Sequence, residues 1–69
     1  MDKYGLTIEE AASYTGIGRD TLRKLAEWEK FPVLRIGRKS MVLTKTIERF
    51  MQENQGVDLL DREQVRAVK

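Results

Sequence analysis

The stretch TIEEAASYTGIGRDTLRKLAEWE, residues 7–29, constrains this chain most, because two helical patterns are interrupted there by a glycine pair. Thr7 and Glu10 have the spacing of a capping box. The hydroxyl accepts from a free backbone N–H, and the carboxylate three residues on reaches back. Apolar residues at Ile8, Ala11 and Ala12, and then at Leu22, Leu25 and Ala26, keep the 3/4 spacing of an amphipathic helix. Between them, Gly16-Ile17-Gly18 permits positive φ and a sharp reversal, with Ile17 placed to plug the angle. The pattern predicts helices over residues 8–14 and 19–30. Tyr14 packs at the margin of the first with its hydroxyl wet, and Trp28 lies at the core edge of the second.

A chain of 69 residues is one domain near the lower limit for independent folding. At this length only about 60% of the unfolded surface is buried. With no cysteine and no histidine, neither a disulfide nor a thiolate- or imidazole-bound zinc can staple it. The core must come from the 41% of hydrophobic residues, supported by caps. No apolar run of about 18 residues is present, so no membrane span is expected. The opening MDKYGLTIEE lacks the apolar region of a signal peptide, which points to a soluble protein of the cytoplasm.

The remainder changes period. Tyr4 and Leu6 flank Gly5 in a lead-in that is either a brief extended segment covering one core edge or a frayed terminus. Phe31-Pro32 stops the second helix, since proline has no N–H and disfavours helical geometry before it. Val33–Ile36 and Ser40–Leu43 read as strands joined by Gly37-Arg38-Lys39, a hairpin. Alternation sets Leu34 and Ile36 on one face of the first strand and Val33 and Arg35 on the other. On the second strand Met41, Val42 and Leu43 are all apolar, so alternation does not choose between faces; Val42 is the favoured inward residue. Thr44 is the expected N-cap of a third helix over residues 45–54, with an apolar stripe at Ile47, Phe50 and Met51 and an end at Gly56. The winged domain is thus expected over residues 1–56, with residues 57–69 a separate tail. Leu59, Leu60, Val65 and Val68 are too few and too spread to build a core. Asp61 can cap a short helix there, or the segment stays disordered until a partner binds. The sum is an α+β fold, mostly α: a minimal winged helix-turn-helix of two helices, a β-hairpin wing and a third helix.

Charge is partitioned along this order. Residues 1–18 carry a net −2, and residues 46–69 a net −1. Residues 19–45 carry eight basic side chains against three acidic ones, a net +5. Positive charge therefore begins at the second helix and runs through the hairpin, as a surface facing a polyanion requires. Placing Leu22, Leu25 and Ala26 in the core turns Arg19 and Arg23 outward on a shared face, beside Asp20, Lys24 and Glu27. Such a helix suits the major groove, where arginine can make two bonds to guanine. Arg38, Lys39 and nearby Arg35 are placed to meet phosphates. Catalysis is not expected. Glu9-Glu10 and the Asp58/Asp61 pair sit at a helix start and in a polar tail, where carboxylates serve the helix dipole and solubility. No phosphate-binding glycine loop, cofactor site or metal site is expected.

The words LTIEEAASYTGIGRDTLRKLAE and FPVLRIGRKSMVLTKTIERFM resemble the excisionase-type DNA-binding domain of conjugative transposons and phages, whose fold is akin to the MerR winged helix. The resemblance covers about residues 5–52. It implies a small architectural protein that binds and bends double-stranded DNA at the ends of an integrated mobile element and biases a tyrosine recombinase toward excision. By position it implicates Gly18, Arg19, Asp20, Thr21, Arg23 and Lys24 on the recognition helix, and Arg35, Arg38, Lys39 and Ser40 on the wing. It also implies a bacterial, nucleoid-associated setting, a tail in contact with the recombinase, and cooperative self-association on DNA. Two other readings stand beside it: a small MerR-like transcriptional regulator of a mobile element, and a protein-interaction module.

Overall fold

The computed structural model describes residues 3–69, so the first two residues of the lead-in lie outside it. The elements run β1 (Gly5–Thr7), α1 (Ile8–Thr15), α2 (Arg19–Glu27), β2 (Leu34–Ile36), β3 (Lys39–Leu43) and α3 (Thr44–Glu53). The extended lead-in becomes a true strand. It pairs antiparallel with β3, giving a three-stranded sheet in the order β1-β3-β2, so the wing is anchored to the start of α1. Three helices with this sheet make a mostly helical α+β fold of the winged helix-turn-helix kind.

The capping box forms as the sequence predicts. Glu10 N donates to Thr7 Oγ1 at 3.1 Å, and Thr7 N donates to the Glu10 carboxylate at 3.0 Å. The Glu10 carboxylate also accepts from Lys3, and that bond, with the Thr7 N–H next, holds its pKa below the usual carboxylate value.

Helix α2 ends earlier than the periodicity predicts. Glu29 adopts a left-handed φ of 60°, Lys30 N donates to Leu25 O, and Glu29 N donates to Ala26 O, which together make a Schellman ending. Thr44 is not the cap of α3 but its first residue. Leu43 occupies the cap position without a side-chain bond, and Thr44 Oγ1 instead donates to Lys3 O.

The core gathers Leu6, Ile8, Ala11, Leu22, Leu25, Phe31, Val42, Ile47 and Phe50. Val42 faces inward as expected, whereas Met51 of the α3 stripe is exposed. Leu22 and Leu25 are fully buried. Each such side chain contributes about 1.5–3 kcal/mol relative to exposure.

The tail departs from expectation. Val65 and Val68 are buried members of the same core, and residues 54–69 form turns in place of a helix. Asn54 clips this strap. Its Nδ2 donates to Phe50 O at 2.9 Å and to Arg66 O at 3.0 Å, while Arg66 N donates to its Oδ1 at 2.7 Å. Val68 N donates to Lys30 O at 2.8 Å, and Lys30 Nζ donates to Val65 O at 2.9 Å. Two isolated valines suffice because hydrogen bonds at both ends fix where they land.

Asn54→Ala should cost about 1–3 kcal/mol, the penalty for leaving buried polar groups unpaired. Amide exchange at Val65 and Val68 should accelerate more than at Leu22. A second outcome concerns acid. Because Glu10 titrates lower folded than unfolded, the unfolded chain binds more protons as pH falls, so this stability is present above the ordinary carboxylate pKa and lost through the depressed one. Glu10→Gln should flatten the acid limb of a pH–Tm curve while leaving its neutral plateau sloped as before.

Candidate nucleic-acid interface

The angle between α1 and α2 sets what the chain can present. Thr15 Oγ1 donates to Ala11 O at 2.7 Å and accepts from Ile17 N at 3.1 Å, tying off the first helix. Gly16 then takes a left-handed φ of 80°, with its N–H closing on Ala12 O. Gly18, at φ −58°, needs no such freedom and serves as the α2 N-cap without a side-chain bond. Ile17 packs against the core, as its position in the turn predicts.

Leu22 and Leu25 face the core, so Arg19, Asp20, Arg23 and Lys24 are turned outward and exposed, and Thr21 is half-buried. The wing crosses beside this face. Its turn is tighter than the sequence shows: Ile36 pairs with Lys39, leaving only Gly37 and Arg38 as the loop, and Gly37 takes φ 61°. Lys39 thereby joins β3. Register sets Arg35 opposite Ser40 and Leu34 opposite Met41. Val33, Arg35 and Ser40 look toward α2, and Leu34 and Ile36 project to solvent at 54% and 58% exposure.

Between α2 and the wing lies an open groove of roughly 380 Å³. Arg23 lines it from the helix, and Arg35, Arg38, Lys39 and Ser40 line it from the wing. Gly18, Arg19, Asp20, Thr21 and Lys24 do not line it and lie along the outer edge and start of α2. Two other cations of the +5 segment point elsewhere. Lys30 is spent on the strap, and Lys45 lies on a second groove with Tyr4, Tyr14 and Thr44.

Two carboxylates line the first groove: Glu27, which the helix spacing already sets beside the Arg19/Arg23 face, and Glu9, which sequence reasoning missed. Glu9 Oε2 lies 3.4 Å from an Arg23 terminal nitrogen, and Asp20 Oδ1 lies 3.8 Å from the other. Glu9 had an explanation as a dipole-complementing residue in the first turn of α1. Only the crossing of α1 and α2 brings it to Arg23. Among the described residues no cluster of side chains suited to a metal ion occurs, and no helix is long and apolar enough to cross a membrane.

A family model described as helix-turn-helix domain matches residues 6–55. The chain belongs to that family. No curated protein and no solved structure matches the chain. The matched region runs from β1 through the end of α3, so the family's segment contains both walls of the groove. DNA binding is the property this family supports, and the family is typically non-enzymatic.

Gly16→Ala should cost about 1–2 kcal/mol, since a side chain in left-handed geometry is strained even with no atom within 4 Å of its Cβ. In a domain this size that lowers Tm by several degrees. Gly18→Ala meets only Thr21 Oγ1, at 3.9 Å, and has ordinary φ, so its Tm should fall much less. Equal losses at the two positions would contradict the assigned turn geometry.

Proposed function

We propose that this helix-turn-helix protein binds double-stranded DNA with α2 in the major groove and the wing tip on the adjoining phosphates. The observation that carries this reading is the shared groove, where Arg23 from α2 and Arg35, Arg38 and Lys39 from the wing are grouped beside a helix whose outer edge bears Arg19 and Lys24. Arg19, Thr21, Arg23 and Lys24 form the reading edge, with Asp20 beside them and Gly18 at the helix start. Arg35, Arg38, Lys39 and Ser40 hold the backbone. Phosphate contacts position such a protein, and base contacts specify its site.

The biological role we infer is that of an excisionase, a recombination directionality factor that bends DNA at the ends of an integrated mobile element and biases a tyrosine recombinase toward excision. The sequence resemblance supports it, and helix-turn-helix domains of this family are found in excisionase-like proteins. A basic edge that runs from helix to wing is suited to holding bent duplex, because bending brings more phosphates within reach. Cooperative binding of several copies and contact with the recombinase belong to the same proposal.

Arg23→Ala should weaken binding to the preferred duplex by about 1–3 kcal/mol and relax sequence preference. Arg38→Ala should weaken all duplexes alike and reduce the slope of log K against log salt by about one. Unchanged affinity in both variants at moderate salt would place the binding face elsewhere. An excision assay with the recombinase of the encoding element addresses the role. DNA binding without stimulation of excision would leave the transcriptional-regulator reading in place of the excisionase one.

A further inference from the structure

Arg23 differs from the other cations of this face. Arg19, Lys24, Arg35, Arg38 and Lys39 have no carboxylate within ion-pair distance among the described residues, whereas Arg23 is held at both terminal nitrogens. Its Asp20 contact comes from one turn earlier on the same helix, from a carboxylate that is 93% exposed. Its Glu9 contact comes from α1, a separate element whose first turn is fixed by the Thr7–Glu10 box on either side of Glu9. The geometry places a negative charge on the scaffold helix, inside a groove that Arg35, Arg38 and Lys39 line from the wing and Glu27 lines from α2.

We propose that Glu9 is a specificity-determining residue: it positions Arg23 and withholds it from non-specific phosphate contact. This rests on the DNA-binding reading above. The Glu9–Arg23 pair is long for a hydrogen bond, at 3.4 Å, and both partners are more than half exposed, so it is a weak hold. A weak hold is what discrimination needs. A phosphate can also pair with a guanidinium through two oxygens, but it brings its own negative charge beside the Glu9 carboxylate and is repelled by it. A guanine edge offers two neutral acceptors in register, which engage the guanidinium without setting a second negative charge beside Glu9. The carboxylate therefore penalises wrong sites more than the right one, and specificity is that difference. Glu27 lines the same groove and has no ion pair among the described residues, so its charge acts on any duplex alike.

The test compares two duplexes, one recovered by the wild-type chain from a randomised pool and a scrambled one of equal composition. With Glu9→Gln, affinity for the scrambled duplex should rise about eight-fold near 0.1 M salt, the gain from one more phosphate contact, and its log–log salt slope should steepen by about 0.9. Affinity for the recovered duplex should rise less than about two-fold, so the ratio between the two falls. In an Arg23→Gln background, Glu9→Gln should no longer steepen the slope. Equal tightening on both duplexes, or tightening that persists without Arg23, would show plain charge repulsion and overturn the assignment. No change on either duplex overturns it too, as does failure of the pool to enrich any sequence. Loss of the α1 dipole contact alone would lower Tm without moving the ratio, so Tm is recorded beside the binding curves. A wild-type chain that binds neither duplex at low salt overturns the DNA-binding reading itself; a binding wild-type chain with an unaltered Glu9→Gln overturns only the role of Glu9.

Discussion

The edge-to-face contact of Phe31 and Phe50, centroids 5.3 Å apart and planes at 71°, joins the two halves of this protein. Phe31 follows the Schellman ending of α2, and Phe50 lies in the C-terminal half of α3. In a domain this small there is no second core to share the load. Leu22, Leu25, Ile47 and Val42 pack into one cluster with these rings, so the outward faces of α2 and the wing are fixed by the same buried residues. The position of every cation in the groove depends on that cluster. Aromatic pairs of this kind contribute about 0.5–1.5 kcal/mol beyond their burial.

The C-terminal strap extends this arrangement. It ties the end of α2, through Lys30, to the end of α3, through Asn54. Arg62 lies over the Trp28 ring at 5.7 Å, a further hold on the α2 terminus. Among the described residues no buried side-chain nitrogen or oxygen lacks a partner, so the buried amide of Asn54 costs nothing in unmet bonds.

Much of this was legible in local pattern. The Thr7–Glu10 box, the buried Leu22/Leu25 face and the Ile47/Phe50 stripe all follow from spacing of three or four residues, whereas inward Val42 stands between two apolar neighbours and is chosen only by the sheet's register. What escaped depends on contacts distant in sequence. Val65 and Val68 carry no periodic signal, and their burial is set by Asn54 and Lys30, which lie 11 and 35 residues before Val65. Alternation separates Leu34 and Ile36 from Val33 and Arg35 without saying which side meets the helices; the strand's register turns the Val33/Arg35 side toward α2. At the groove, Arg23 and the wing cations could be named from charge and periodicity. Glu9 could not, because its carboxylate already had a local explanation and its partner lies 14 residues on.

Helix and wing present one continuous surface because one core holds both. The most direct measurement is an amide chemical-shift titration of the full chain with a short duplex. The account predicts shifts concentrated at Gly18–Lys24 and Arg35–Ser40, with Glu9 among them and Asn54–Lys69 nearly unmoved. Shifts centred on the strap and α3, with α2 and the wing silent, would contradict it.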